Sequence, residues 1–305
     1  MQPGLRRLAP GARHLTPCGP GSRHQREKLA VLSAFAGQAL VCRSGFDPAP
    51  ALGALAAHAA AEHPAHFRWD GRQGAALGVQ VPADGREVRD EQPGVFGLGD
   101  EVGRCLRALP PPWRLAGLLS LAFEEDFALL DGRDGTVPWM AVALPSHWAP
   151  EEKVGLPLRD VHAPVADNER LLAAAPRLPA LVCAGPAHER FVWSVGTHSR
   201  LHAHPRRSPR EPWPVGDPDA VARAAWWRTE HQTFLPLPPA ATGAPLAVFT
   251  INVQASPFVQ ALGEPGRARR LHDALATMSP AVLDYRGLAQ AREDLLAWLG
   301  RQAGP

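Results

Sequence analysis

Two neighbouring stretches, AAWWRTEHQTFLPLP at residues 224–238 and APLAVFTINVQ at residues 244–254, decide what kind of fold this sequence can make. Apolar and polar residues alternate in both, which is the period of a strand and not of a helix. In the first, Arg228, Glu230 and Gln232 fall on one face, while Trp227, Thr229 and His231 fall on the other. Three long polar side chains on a covered face are costly without partners, whereas facing a pocket they can hold a polar ligand. Spacing leaves two readings open: a polar row lining a pocket, or the solvent face of a sheet.

Working outward, ERFVWSVG (189–196) alternates in the same way and predicts a third strand. FALLDG (127–132) and VPWMAVALP (137–145) predict a hairpin turning around Gly132, Asp134 and Gly135, and GAALGVQVP (74–82) predicts one more strand. Helical period and proline or glycine punctuation predict helices over 48–63, 98–109, 113–126, 167–178, 264–278 and 280–300. Pro150 with Glu151 and Glu152 behind it, and Gly155 beyond, encodes one short helical turn that delivers the chain to His162. Strands in a meander with flanking helices, without βαβ alternation, give an α+β fold. No internal repeat is present.

The composition excludes several classes of function. With 32 basic and 30 acidic residues the formal net charge is +2, so the chain has no general positive field for nucleic acid. Cys18, Cys42, Cys105 and Cys183 form no C-x-x-C pair, which removes zinc ribbons and covalent haem attachment and fits a reducing, cytoplasmic setting. Residues 1–28, rich in Gly, Pro and Arg, are expected to be a disordered basic leader, with one domain over 29–305. The apolar run after Lys28 is too short to span a bilayer, and Ala39-Leu40-Val41 lacks the small residues of an export cleavage site.

Chemistry is thinly marked. No Gly-rich phosphate loop, G-x-S-x-G elbow or H-E-x-x-H is present. His198, His202 and His204 have chelating spacing, but Pro205, Arg206 and Arg207 follow directly and favour a solvated loop. Glu124, Glu125 and Asp126 lie where a helix C-terminus disfavours negative charge, so they are either a solvated patch or a polar anchor compensated by an arginine. His162 sits between Val161 and Ala163-Pro164, and the proline biases its neighbour toward extended backbone. A histidine buried there is either a hydrogen-bonded core residue or a metal ligand. Haem iron needs only one such protein ligand.

Five segments in order carry a resemblance: EEDFALL (124–130), LPSHWAPEEKVGLPLRDVHAPV (144–165), WWRTEHQTFLPLP (226–238), VFTINVQASP (248–257) and LATMSPAVLDYRGL (275–288). Together, over roughly 45–290, the chain resembles the haem-dependent oxidative N-demethylase family. The resemblance implies a PAS-like antiparallel sheet with flanking helices around a b-type haem. It also implies oxidation of a small secondary or tertiary amine, dimethylamine-like, with O2 and release of formaldehyde, the electrons coming from a flavin and iron–sulfur reductase partner. On that reading His162 is the iron ligand, and Arg228, Gln232 and Trp193 contact the cofactor. Glu230 and Arg228 are the catalytic pair, the carboxylate receiving the substrate ammonium or a proton. The chain departs from the family pattern at Ala166, at His231 and at Val192 in Arg190-Phe191-Val192-Trp193, where an asparagine is expected. These departures keep a second function open, a haem- or small-ligand-binding PAS-like module without turnover. A folded protein without haem is the third.

Overall fold

The two strands of residues 224–254 pair with each other over eleven positions, from Trp226 opposite Pro257 to Pro236 opposite Ala247. They are the middle of a larger sheet. In chain order its strands are β1 (Arg6–Arg7), β2 (Leu40–Cys42), β7 (Asp126–Asp131), β8 (Trp139–Ala141), β9 (His188–Gly196), β10 (Trp226–Pro236) and β11 (Leu246–Pro257). They lie in the order β1-β9-β10-β11-β7-β8-β2, with every neighbour antiparallel. A second antiparallel sheet holds β3 (Arg68–Trp69), β4 (Gln73–Ala76), β5 (Val79–Pro82) and β6 (Arg89–Asp90). The computed structural model describes residues 4–303 apart from 95–96, 164, 167–168, 170–172, 174–175 and 265.

The helices cover both faces of the large sheet. α1 (Arg23–Ala39), α2 (Ala49–Glu62), α3 (Glu101–Ala108) and α4 (Arg114–Ala122) share one core with Phe127, Leu129 and Val248. On the alternate positions of the same strands, Ala128, Leu130, Met140, Phe234 and Ala247 pack with Leu158 of α5 (Leu158–His162) and with Val182 and Cys183 of α6 (Leu178–Ala184). The period-2 pattern thus sorts its apolar residues into two cores. A third core joins the β9 and β10 edge to the C-terminal helices, among them α7 (Pro218–Ala224), α8 (Arg267–Ala276), α9 (Pro280–Arg286) and α10 (Arg292–Ala303).

The differences from the sequence reading have local causes. The strand expected over 74–82 is a hairpin, because Leu77 and Gly78 both take positive φ, 55° and 76°, and turn the chain between β4 and β5. The helix expected over 113–126 stops at Ala122, where Phe123 turns extended (φ −125°, ψ 153°) and leads into β7. The helix expected over 280–300 divides at Gly287, whose φ of 68° suits a helix end. His162 closes a short helix instead of standing in an extended segment: Ala163 remains helical at φ −54° and ψ −36° despite the following proline. Lys153 Nζ donates to the Val161 carbonyl at 3.0 Å and so caps this helix end. Pro164 itself and most of the helix expected over 167–178 lie outside the described residues.

Residues 4–28, expected to be a disordered leader, are packed into the fold. Arg6 and Arg7 pair with Glu189 and His188 of β9, Leu15 and Cys18 are buried, and α1 begins at Arg23 under a Ser22 cap. Lys28 explains the order. Its ammonium is fully buried, 3.3 Å from Asp126, and donates to the carbonyls of Phe123 at 3.1 Å and Glu125 at 2.5 Å. The acidic triplet is therefore a polar anchor, and its compensating cation is a lysine where an arginine was expected. Glu125 accepts from Thr16 N–H and Asn252 Nδ2, both at 2.8 Å, and Asp126 accepts from Leu144 N–H at 2.6 Å. A buried pair with its remaining oxygens satisfied is tolerated, whereas removal of one partner is expensive.

Candidate functional site

The register of β10 places Arg228, Glu230, Gln232 and Phe234 on one face. That face is covered: the four residues are 6%, 9%, 5% and 3% exposed, so the solvent-face reading does not hold. Phe234 belongs to the core that includes Leu158 at the start of α5, so the polar row continues the surface beneath the His162 helix. Across the strand boundary, Arg190 of β9 stands opposite Gln232 and Val192 opposite Glu230. Arg190 Nε donates to Gln232 Oε1, and Gln232 Nε2 donates to Glu230 Oε2 at 2.5 Å. The guanidinium also lies 5.9 Å from the centre of the Phe249 ring.

His162 donates from Nδ1 to the Leu158 carbonyl at 2.8 Å, one helical turn back. A proton on Nδ1 puts the lone pair of the neutral ring on Nε2. Burial pushes the imidazole down to about 4, with the Arg190 and Lys153 charges adding to it, so the ring is neutral at physiological pH. A neutral imidazole steered by a backbone carbonyl is the form in which histidine binds a metal.

The other members of the row separate into different roles. Arg228 donates from Nε to Ser146 Oγ at 2.7 Å and from Nη1 to the Arg200 carbonyl at 2.9 Å. Its Nη2 reaches the carbonyls of Leu144, Pro145 and Leu201. It ties two backbone segments together, and burial lowers its pKa to about 10. Trp193 does not join the row. Paired with Thr229, it stands on the opposite face, stacked on Trp227 at 5.0 Å, with the Arg286 guanidinium 5.1 Å from its ring centre. His231 is also on that face, 2.7 Å from Glu189 and stacked on Phe191 at 4.4 Å, so its departure from the family pattern leaves the polar row untouched.

The remaining candidates are accounted for nearby. Cys183 donates to the Leu130 carbonyl at 3.6 Å, and burial pushes its thiol up to about 12, so it is a protonated core residue. His202 donates to the Ala143 carbonyl at 2.7 Å and His204 lies 3.1 Å from Glu151, while the His198 ring meets His147, so the three do not converge on one point. Their loop is not solvated either, since Leu201, Ala203 and His204 are buried.

Arg190 was absent from the sequence-level site. Its signal lay in strand parity, because pairing residues 189–196 antiparallel to 226–236 brings it opposite Gln232.

The donor set suits a haem. It offers one neutral histidine, a wall of Phe234, Phe249, Val161 and Leu178, and a cationic Arg190 near the polar row. The fold and this site define a mixed α and β protein in which a buried polar row and the His162 helix lie on one face of an antiparallel sheet. The family model described as "Haem-dependent oxidative N-demethylase, alpha subunit-like" matches residues 45–296, and the chain belongs to that family.

Proposed function

We propose that this chain holds a b-type haem through His162 and oxidatively removes an N-methyl group from a small secondary or tertiary amine. The observation that carries the reading is the hydrogen bond from His162 Nδ1 to the Leu158 carbonyl, beside the Arg190–Gln232–Glu230 chain. His162 would be the iron's protein ligand, and Arg190, in place of Arg228, would face the propionates. When bound, haem supplies O2 activation for oxidation of the N-methyl carbon, with formaldehyde as the released product.

The chain's own contribution centres on Glu230. Val192 and Val253 flank it across both strand boundaries, and Gln232 orients its Oε2. Small alkylamines are cations at neutral pH, and desolvating one requires a partner of opposite charge. Glu230 would take the substrate N–H in a hydrogen bond and receive its proton. Arg190, through Gln232, would hold the carboxylate in place. Electrons would come from a flavin and iron–sulfur reductase partner, in keeping with an alpha subunit-like family description.

Two broader readings go with this one. Two strands, a helical crossover and a three-stranded meander whose last strand returns beside the first support a PAS-like sheet. Four unpaired cysteines support a reducing, cytoplasmic setting, and among the described residues no helix is long and apolar enough to cross a membrane.

Val192 favours a second reading, a haem- or ligand-binding module without turnover, because it puts an apolar side chain opposite Glu230 where the family pattern has an asparagine. The test is formaldehyde release from dimethylamine by haem-reconstituted protein with a chemical reductant and O2. The expected result is turnover that falls by about 10²-fold or more in Glu230→Gln with the Soret band unchanged. Bound haem with no turnover of any small methylamine would favour the module.

A further inference from the structure

On the sheet face away from His162, the N-terminal segment crosses α2, and three side chains meet there. His58 and Glu62 are one turn apart on α2 and share a face, and His14 approaches from the incoming chain. Glu62 Oε1 lies 3.5 Å from His14 Nδ1 and 3.7 Å from His58 Nε2, and the three ligand atoms all fall within 4.8 Å of one another. These separations are too long for hydrogen bonds. The two distances to Glu62 Oε1 are close to the edge of a tetrahedron around an ion with bonds of 2.0–2.1 Å, which is about 3.4 Å.

The polar atoms at this place are unsatisfied in the way such a site requires. Among the described residues, both ring nitrogens of His14 and Nε2 of His58 are buried without a hydrogen-bond partner. Buried polar groups are nearly always satisfied, so orphaned nitrogens on two adjacent rings call for an explanation. Glu62 is already set as a ligand. It accepts from His14 N–H at 2.8 Å and Leu15 N–H at 2.9 Å, and His63 Nε2 donates to the Leu15 carbonyl at 2.7 Å.

We propose that His14, His58 and Glu62 form a binding site for a divalent transition-metal ion, zinc in the first place, that clips the N-terminal segment to α2. Two imidazoles and one carboxylate select zinc and its neighbours over magnesium or calcium, which prefer oxygen ligands. Three protein ligands leave the fourth position to water, which the 27% exposed side chain of His58 admits. The ion would secure a segment that also supports the central sheet, since Thr16 N–H donates to Glu125 and Asn252 of β11 reaches both residues. This site stands independently of the haem reading.

The experiment is equilibrium dialysis of the full chain, stripped with chelator, against buffered zinc, with thermal melts in parallel. The expected result is one zinc per chain and a raised Tm. In His58→Ala, zinc affinity falls roughly 100-fold or more with loss of a direct ligand, and the zinc-induced Tm shift disappears. His58 is partly exposed, so this variant without metal should melt as the metal-free parent does, and His204→Ala should keep both zinc responses. No stoichiometric zinc on the parent, or equal binding by parent and His58→Ala, would overturn the proposal.

Discussion

Arg228 and Arg190 stand on the same face of the central sheet, four residue pairs apart along adjacent strands, yet they hold different things. Arg228 donates to Ser146 and to four backbone carbonyls, so it acts as a fastener between the segments at 144–146 and 200–201. Arg190 donates only to the Gln232 side chain among the described residues, and its charge is felt by His162. A guanidinium committed to main-chain oxygens builds the fold, whereas one oriented by a single side chain retains donors for a ligand. On the proposed reading the polar row has a structural end and an end left for a ligand, and the boundary falls between Arg228 and Glu230.

The largest expected effect tests that division through stability. Arg228→Met leaves buried carbonyls unsatisfied and should destabilise the protein by roughly 3–5 kcal/mol, against less than about 1.5 kcal/mol for Arg190→Met. Urea midpoints of the two variants give the comparison, and equal losses would break it.

A smaller effect concerns pH. Folded His162 titrates at about 4 and His147 at about 3, both lowered first by burial, against an ordinary value of 6.5. Above pH 6.5 both rings are neutral in either state. As pH falls from there toward 4, the unfolded chain gains protons that the fold refuses, so stability drops. Each histidine should remove on the order of 1–2 kcal/mol between pH 7 and 5, and His162→Gln should flatten the decline. A urea midpoint that does not change over this range would contradict the burial of both rings.

The smallest effect is expected on the opposite face. Trp193→Phe keeps the stack on Trp227, so it should change stability by about 1 kcal/mol or less and leave haem affinity unaltered. A large loss of haem affinity in this variant would restore Trp193 to the cofactor site.

Much of this division was legible in the strand period. Alternation at 226–236 placed Arg228, Glu230 and Gln232 together, but it could not distinguish a fastener from a ligand contact, because that depends on which carbonyls lie within reach. Trp193 was grouped with the row through the family pattern, while pairing with Thr229 puts it on the other face. The basic N-terminal segment looked disordered because it is rich in Gly, Pro and Arg and has no period; Lys28, Leu15 and His24 are nevertheless buried by partners distant in sequence. His14 was invisible for the same reason. Its neighbours His58 and Glu62 are over forty residues away, and nothing local marks the meeting.

The most direct test of the central claim is the optical spectrum of the purified, haem-reconstituted chain, with His162→Ala and Arg190→Met measured beside it. The account predicts a Soret band in the parent that shifts or disappears in His162→Ala, and weaker haem retention in Arg190→Met. An unchanged Soret band in His162→Ala, or no band in the parent, would contradict it.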